Sequence, residues 1–304
     1  MTAAAGGGFT HPEYLVDTEW LAKHLGDADL RVFDCTTNLV PDPATTFRAE
    51  SGRPKWAEGH IPGAGYLDLQ GELSDTTSGL RFTMPAAAQF SAAMSRHGVG
   101  EGTRVVLYSI GSQMWATRIW WMLGAFGFDH AAVLDGGWDK WAAEGRPVST
   151  DPAAYPRGHF VAKPRPELIA TRDEVLAKIA DQGACTINAL SEAQHAAEGG
   201  TTYGRPGRIK GSVNVAYQRL QQGKPAVYRA PAELRALFAE VGATPDKKII
   251  AYCGGGIAAT NDAFSLTRLG YPSVAVSVGS LGEWCADPAL PMETGREGTK
   301  IAGG

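Results

Sequence analysis

Of the chain's four cysteines, one stands where its neighbours can turn a thiol into a reagent. Cys253 follows Lys248-Ile249-Ile250-Ala251-Tyr252, whose branched and aromatic side chains read as a buried strand. Three glycines and a helix-like run through Ala263, Phe264, Leu266 and Leu269 come after it. Gly254, Gly255 and Gly256 have no Cβ, so with Ile257 and Ala258 they can curl and point successive backbone N–H groups at the sulfur. The positive end of the following helix adds to that field. Thiols in such settings have pKa values lowered from ~8.5 toward roughly 3.5–7.5. The expectation is an accessible thiolate nucleophile, Cys253, in an anion cradle formed by residues 254–258.

An anionic substrate at such a sulfur calls for a cation. Arg205 and Arg208, in Tyr203-Gly204-Arg205-Pro206-Gly207-Arg208, are the residues expected to supply it. A guanidinium fork holds two oxygens of a carboxylate or sulfonate at once; the alternative is that both are solvated loop charges. Lys210 is a weaker third. His60 reads as a structural hydrogen-bonding residue, Trp284 as packing beneath the cysteine loop, and Cys35 and Cys185 as core. Cys285 reads as a small core residue, with a resolving thiol as the alternative. No Cys-x-x-Cys and no closely spaced His partner occurs, so neither a structural zinc site nor a disulfide framework is expected. The expected compartment is the reducing cytoplasm.

The elements that must position Cys253 recur. At ~100–200 residues per domain, the 304 residues suggest two domains. Thr186-Ile187-Asn188 answers Val32-Phe33-Asp34, and Gly207-Arg208-Ile209-Lys210-Gly211-Ser212 answers Gly59-His60-Ile61-Pro62-Gly63-Ala64. Residues 249–252 answer 105–108, and Gly279 to Trp284 answers Gly136 to Trp141. The offsets agree, 253 − 109 = 144 and 284 − 141 = 143, so one βα unit is duplicated. Ser109 takes the place of Cys253 in the first copy. A serine without a base is a poor nucleophile, so the first copy is expected to keep packing and to wall one side of a cleft.

Further elements are read from periodicity. Asp17-Thr18 should cap a helix through Leu25, and helices are expected at 86–97 and 115–126, the aromatic side of the latter being core. Strands are expected at 30–33, 104–108 and 131–134. A long polar loop should follow Cys35, and prolines 147, 152, 156, 164 and 166 mark an extended linker. Residues 1 to about 12 read as a disordered tail without signal-peptide character.

Composition narrows the function. The chain is 44% hydrophobic and 20% charged, with a formal net charge of −4 and a pI of about 6.0. No basic field for nucleic acid is present, so no nucleic-acid partner is expected. The most apolar stretch, 119–128, is about half the ~20 residues that a membrane span requires, so no membrane is expected either.

Taken together, Gly59-His60-Ile61-Pro62-Gly63-Ala64, Leu73-Ser74-Asp75, Trp120-Trp121, Leu134-Asp135-Gly136-Gly137 and the cysteine loop resemble the two-domain rhodanese-type sulfurtransferases, over about residues 15–293. The resemblance implies an α/β fold of two tandem rhodanese-like domains, each a mainly parallel sheet flanked by helices. On it, residues 13–147 form an inactive domain, 148–168 a linker and 169–295 the active domain. It further implies that Cys253 takes a sulfane sulfur from thiosulfate or 3-mercaptopyruvate as a persulfide. The sulfur then passes to cyanide, a thiol or a thioredoxin-like protein, without metal or organic cofactor. The loop is neutral where thiosulfate-type enzymes carry basic residues, and Gly255 stands where mercaptopyruvate-type loops carry serine. Leu190 and Gln194 stand where the family has two arginines. Gln70 and Phe82 fall where some mercaptopyruvate enzymes place an assisting Asp and His. The alternatives are a protein-fed persulfide carrier or regulatory module, and a cysteine phosphatase. The last lacks its arginine, because the sixth residue after Cys253 is Ala259.

Overall fold

The computed structural model describes residues 8–42, 46–153, 155–200 and 202–302. It contains two parallel sheets. The first has the strand order Leu15–Val16, Ala131–Leu134, Arg104–Tyr108, Leu30–Asp34, Gly65–Tyr66. The second has the order Val213–Asn214, Ala184–Asn188, Lys248–Tyr252, Val274–Val276. The central strands are buried on both faces, as parallel strands between helical layers must be, which explains their near-continuous apolar sequences.

The duplication holds at atomic detail. Tyr108 pairs with Asp34 in the first sheet and Tyr252 with Asn188 in the second. The carbonyl of Tyr108 accepts the Cys35 amide, and that of Tyr252 accepts the Ala189 amide, each at 2.8 Å. Each tyrosine hydroxyl also takes a backbone amide, from Ile61 and Ile209 respectively.

The two halves share one contiguous apolar core. At its centre, helix Met114–Ala125 packs on helix Ala259–Arg268. Thr117 and Thr260 hydroxyls meet at 3.0 Å and the rings of Trp120 and Phe264 cross edge to face at 4.8 Å. The first of these helices is apolar on almost every side because it lies between its own sheet and the other domain. Its aromatic side is thus an interdomain seam as well as core.

Three segments depart from expectation. The polar loop after Cys35 is an antiparallel ribbon, Thr37–Asp42 with Thr46–Ser51. Residues 8–11 of the expected tail are held down: the Thr10 amide donates to the Arg268 carbonyl at 2.8 Å, and the Arg268 guanidinium lies over the Phe9 ring. The remainder of that tail, 1–7, lies outside the described residues. The proline-marked linker is extended but not free, since Ser149 bridges His60, the Tyr155 hydroxyl takes the Val32 amide and Ser95 takes the Phe160 amide. Beyond residue 295 the chain still adds to the second domain, where Ile301 bridges Asn214.

Candidate active site

Cys253 sits one residue past the end of strand Lys248–Tyr252, and helix Ala259–Arg268 starts six residues later. Its amide donates to Ser280 Oγ at 3.1 Å, and its carbonyl accepts the Leu281 amide at 3.1 Å. Gly282 donates to the Gly254 carbonyl at 2.9 Å, so the loop is clamped to helix Ser280–Trp284. Trp284 is buried in that helix, its indole N–H donating to the Pro291 carbonyl at 3.2 Å. The amides of Gly254, Gly255, Gly256, Ile257 and Ala258 have no acceptor among the described residues. Gly256 is obligatory: its φ is +73°, and a Cβ there would meet the Val278 carbonyl at 2.6 Å. Gly254 is covered by the Tyr203 ring, which a Cβ there would overlap.

The thiol is only 2% exposed and is reached through a cavity of about 650 Å³ between the domains. The second domain gives the floor, Cys253 to Gly255 with Ile257 and Ala258, and part of the wall, Leu190, Gln194, Tyr203 and Tyr217. The first domain gives Phe82, Met114 and Trp115, and the ribbon adds Leu39, Pro41 and Phe47. Exposed Arg81 is the charged side chain of this lining. Burial and the nearby Cys253 push the hydroxyls of Tyr203 and Tyr217 up from the usual phenol range, so both are neutral donors at neutral pH.

Arg205 and Arg208 are elsewhere. Arg205 donates to the carbonyls of Trp284, Asp287 and Leu290, pinning the turn that follows helix Ser280–Trp284. Arg208 is buried, donates to the Gly295 carbonyl at 2.5 Å and lies 3.5 Å from Glu293. Neither lines the cavity that holds Cys253. The expectation had them anchor the donor; in the structure their forks are taken up by backbone and carboxylate groups, and Arg205 lines a smaller adjoining pocket. His60, which Arg208 replaces in the repeat, has the matching structural role, with ring nitrogens 2.8 and 2.9 Å from the Trp56 and Asp151 carbonyls. That equivalence was a sequence signal for Arg208. Cys35, Cys185 and Cys285 are buried and unpaired.

The cation missed by sequence reasoning is Arg118, fully buried in the helix that runs along the domain seam. It donates to the Gly256 carbonyl at 3.2 Å and to the Phe82 carbonyl at 2.7 Å.

Comparison with known proteins decides the family. The Rhodanese-like domain matches residues 17–144 and 171–287. The chain belongs to the rhodanese family of sulfurtransferases. It is 31% identical to the 3-mercaptopyruvate sulfurtransferase of Escherichia coli K12, over 92% of this chain and 98% of that protein. To the thiosulfate sulfurtransferase of Rattus norvegicus it is 30% identical, over 93% and 96%. To the sulfur carrier protein TtuD of Thermus thermophilus it is 30% identical, over 95% and 100%. The crystal structure of SseA from Escherichia coli superposes with a TM-score of 0.78 at 30% identity, covering 88% of this chain and 98% of that one. The rhodanese in hand thus has two domains of the expected α/β class. No helix among the described residues is long and apolar enough to cross a membrane.

Proposed function

We propose that this rhodanese transfers sulfane sulfur from a small anionic donor, thiosulfate or 3-mercaptopyruvate, through a persulfide on Cys253. The observation that carries the reading is the placement of the Cys253 thiol at the floor of the interdomain cavity, beneath a loop whose five amides have no protein acceptor among the described residues. With thiosulfate, the Cys253 thiolate attacks the outer sulfur, and the S–S bonding pair leaves with sulfite. With 3-mercaptopyruvate, the C–S bond breaks, its electron pair stays on carbon, and the proton of the donor's thiol ends on that carbon to give pyruvate. Either way the new Cys253 S–S⁻ carries one negative charge, which the amides of residues 254–258 are positioned to stabilise. Cyanide, a low-molecular-weight thiol or a thioredoxin-like protein thiolate then attacks the outer sulfur and restores the Cys253 thiolate. The four unpaired thiols are in keeping with a reducing cytoplasm.

Gln194, Tyr203 and Tyr217 give the polar contacts for the donor, and Arg81 stands in the lining with a positive charge. The test is thiocyanate formation from cyanide with each donor. Turnover with at least one of them, lost in Cys253→Ser, supports the enzyme.

A second reading, a persulfide carrier fed by another protein, is favoured by the lining itself. Leu190 and Gln194 leave the inner wall without charge, and about 650 Å³ is far more space than thiosulfate fills. On that reading Cys253 still accepts sulfur, but neither small donor turns over at a useful rate.

A further inference from the structure

The buried guanidinium of Arg118 has no carboxylate to neutralise it among the described residues. Its described hydrogen-bond partners are the Gly256 and Phe82 carbonyls and the Met84 sulfur, all neutral, and its Nε is buried without an acceptor. Its guanidinium carbon lies over the Trp121 ring, 5.1 Å from the centroid. Burying a cation with only neutral partners carries a desolvation penalty that a nearby anion offsets. Burial pulls the Arg118 guanidinium down to about 10, and the ionisable group whose proximity opposes that effect is Cys253. The other titratable groups that sense Cys253 are Tyr203 and Tyr217, both neutral at neutral pH, and Arg81 stands in the exposed part of the lining.

We infer that Arg118, a residue of the domain without a nucleophile, is the counter-ion that holds Cys253 and its persulfide in the anionic form, and that it positions the cysteine loop from across the domain seam. This rests on Cys253 being the sulfur-carrying residue. The position gives a loop with no basic residue of its own a cation. The charge comes from the neighbouring helix, through the Gly256 carbonyl at the back of the loop, instead of from side chains on the cavity face. It also gives the first domain a share in the chemistry: the same helix that carries Arg118 supplies Met114 and Trp115 to the cavity. Phe82, held in a left-handed conformation with φ of 59°, presents its carbonyl to Arg118 and its ring to the cavity, so one guanidinium fixes floor and wall together.

The experiment is the rate of Cys253 alkylation by iodoacetamide across pH in the full chain, for wild type, Arg118→Lys and Arg118→Met. Loss of the cation should slow alkylation at pH 6 at least tenfold in Arg118→Met while leaving the rate at pH 10 within twofold. Arg118→Lys, which keeps a charge, should stay within about threefold of wild type at pH 6. A purely structural role would shift both pH values alike, and equal rates in Arg118→Met and wild type at pH 6 would overturn the inference. If Arg118→Met does not fold, the wild-type protein decides. The Arg118 Nε resonance in arginine-labelled protein should titrate with the alkylation midpoint and be flat in Cys253→Ser; a flat response in wild type overturns the inference. Failure of wild-type Cys253 to take up sulfur from any donor would fault the functional reading instead, and the alkylation result would stand apart from it.

Discussion

Ser280 Oγ accepts the Cys253 amide at 3.1 Å while donating to the Ser277 carbonyl at 2.6 Å, from a backbone held at φ of +48°. In the first repeat the equivalent residue is Gly137, at φ of +52° (280 − 143 = 137). The active copy therefore tolerates a left-handed serine where glycine would be unstrained, and its return is a fixed amide at the nucleophile. Ser280→Ala keeps the strain and orphans the Cys253 amide, for a loss of about 1–3 kcal/mol. Ser280→Gly relieves roughly 1 kcal/mol of that. Calorimetric melting should rank wild type above Ser280→Gly above Ser280→Ala; a glycine variant below the alanine variant would refute the assignment.

The glycines of the loop are unequal. A methyl group at Gly254 must displace the Tyr203 ring, whereas at Gly255 the nearest atom is Phe82 Cδ2 at 4.0 Å. Gly254→Ala should cost about 1–3 kcal/mol in urea unfolding and sharply reduce sulfur uptake. Gly255→Ala should stay within ~0.5 kcal/mol of wild type.

Much of this was legible in advance because a duplicated βα unit writes its pattern twice. The offsets of 144 and 143 placed Ser109 opposite Cys253, and the structure reproduces the match down to the Tyr108 and Tyr252 carbonyls. Helix ends at 87–96 and 114–125 fell within one residue of expectation, since the apolar spacing that marks them is local. What failed was non-local. The ribbon at 37–51 carries prolines and charges that read as loop, yet pairing across six residue pairs makes it a wall of the cavity. Arg118 was hidden in an apolar helix and its contact with the cysteine loop comes from the other domain; Arg205 and Arg208 donate to backbone carbonyls and stand outside the lining of the Cys253 cavity.

Those two arginines should therefore behave as structural residues. Arg208→Ala removes the donor to the Gly295 carbonyl, while Glu293 keeps the Gly211 amide, and should destabilise the chain by about 1–3 kcal/mol. Arg205→Ala should lower the melting temperature while leaving the donor KM within about twofold. A tenfold rise in KM with unchanged stability would return Arg205 to the donor site.

Acid stability has an identifiable contributor. His195 is buried, with Nδ1 3.2 Å from Asn188 Nδ2 and Nε2 3.1 Å from Thr299 Oγ1; taking the amide as the donor leaves the imidazole neutral, with its proton on Nε2. Burial, aided by Arg208, drives its pKa down to about 3. An unfolded chain binds this proton below ~6.5, so His195 contributes stability that is complete above that value and is lost as pH falls toward 3. At ~1.4 kcal/mol per unit, the loss between pH 6.5 and 4.5 is on the order of 2 kcal/mol. His195→Gln should flatten this limb of the unfolding free energy; an unchanged slope would show that the imidazole is not the group being titrated.

The central claim is a persulfide on Cys253, and the intact-protein mass tests it most directly. After incubation with thiosulfate or, separately, with 3-mercaptopyruvate, wild-type protein should gain one sulfur atom, lose it on adding cyanide, and show no gain in Cys253→Ser. Sulfur retained by Cys253→Ser, or no gain by wild type with either donor, would contradict it.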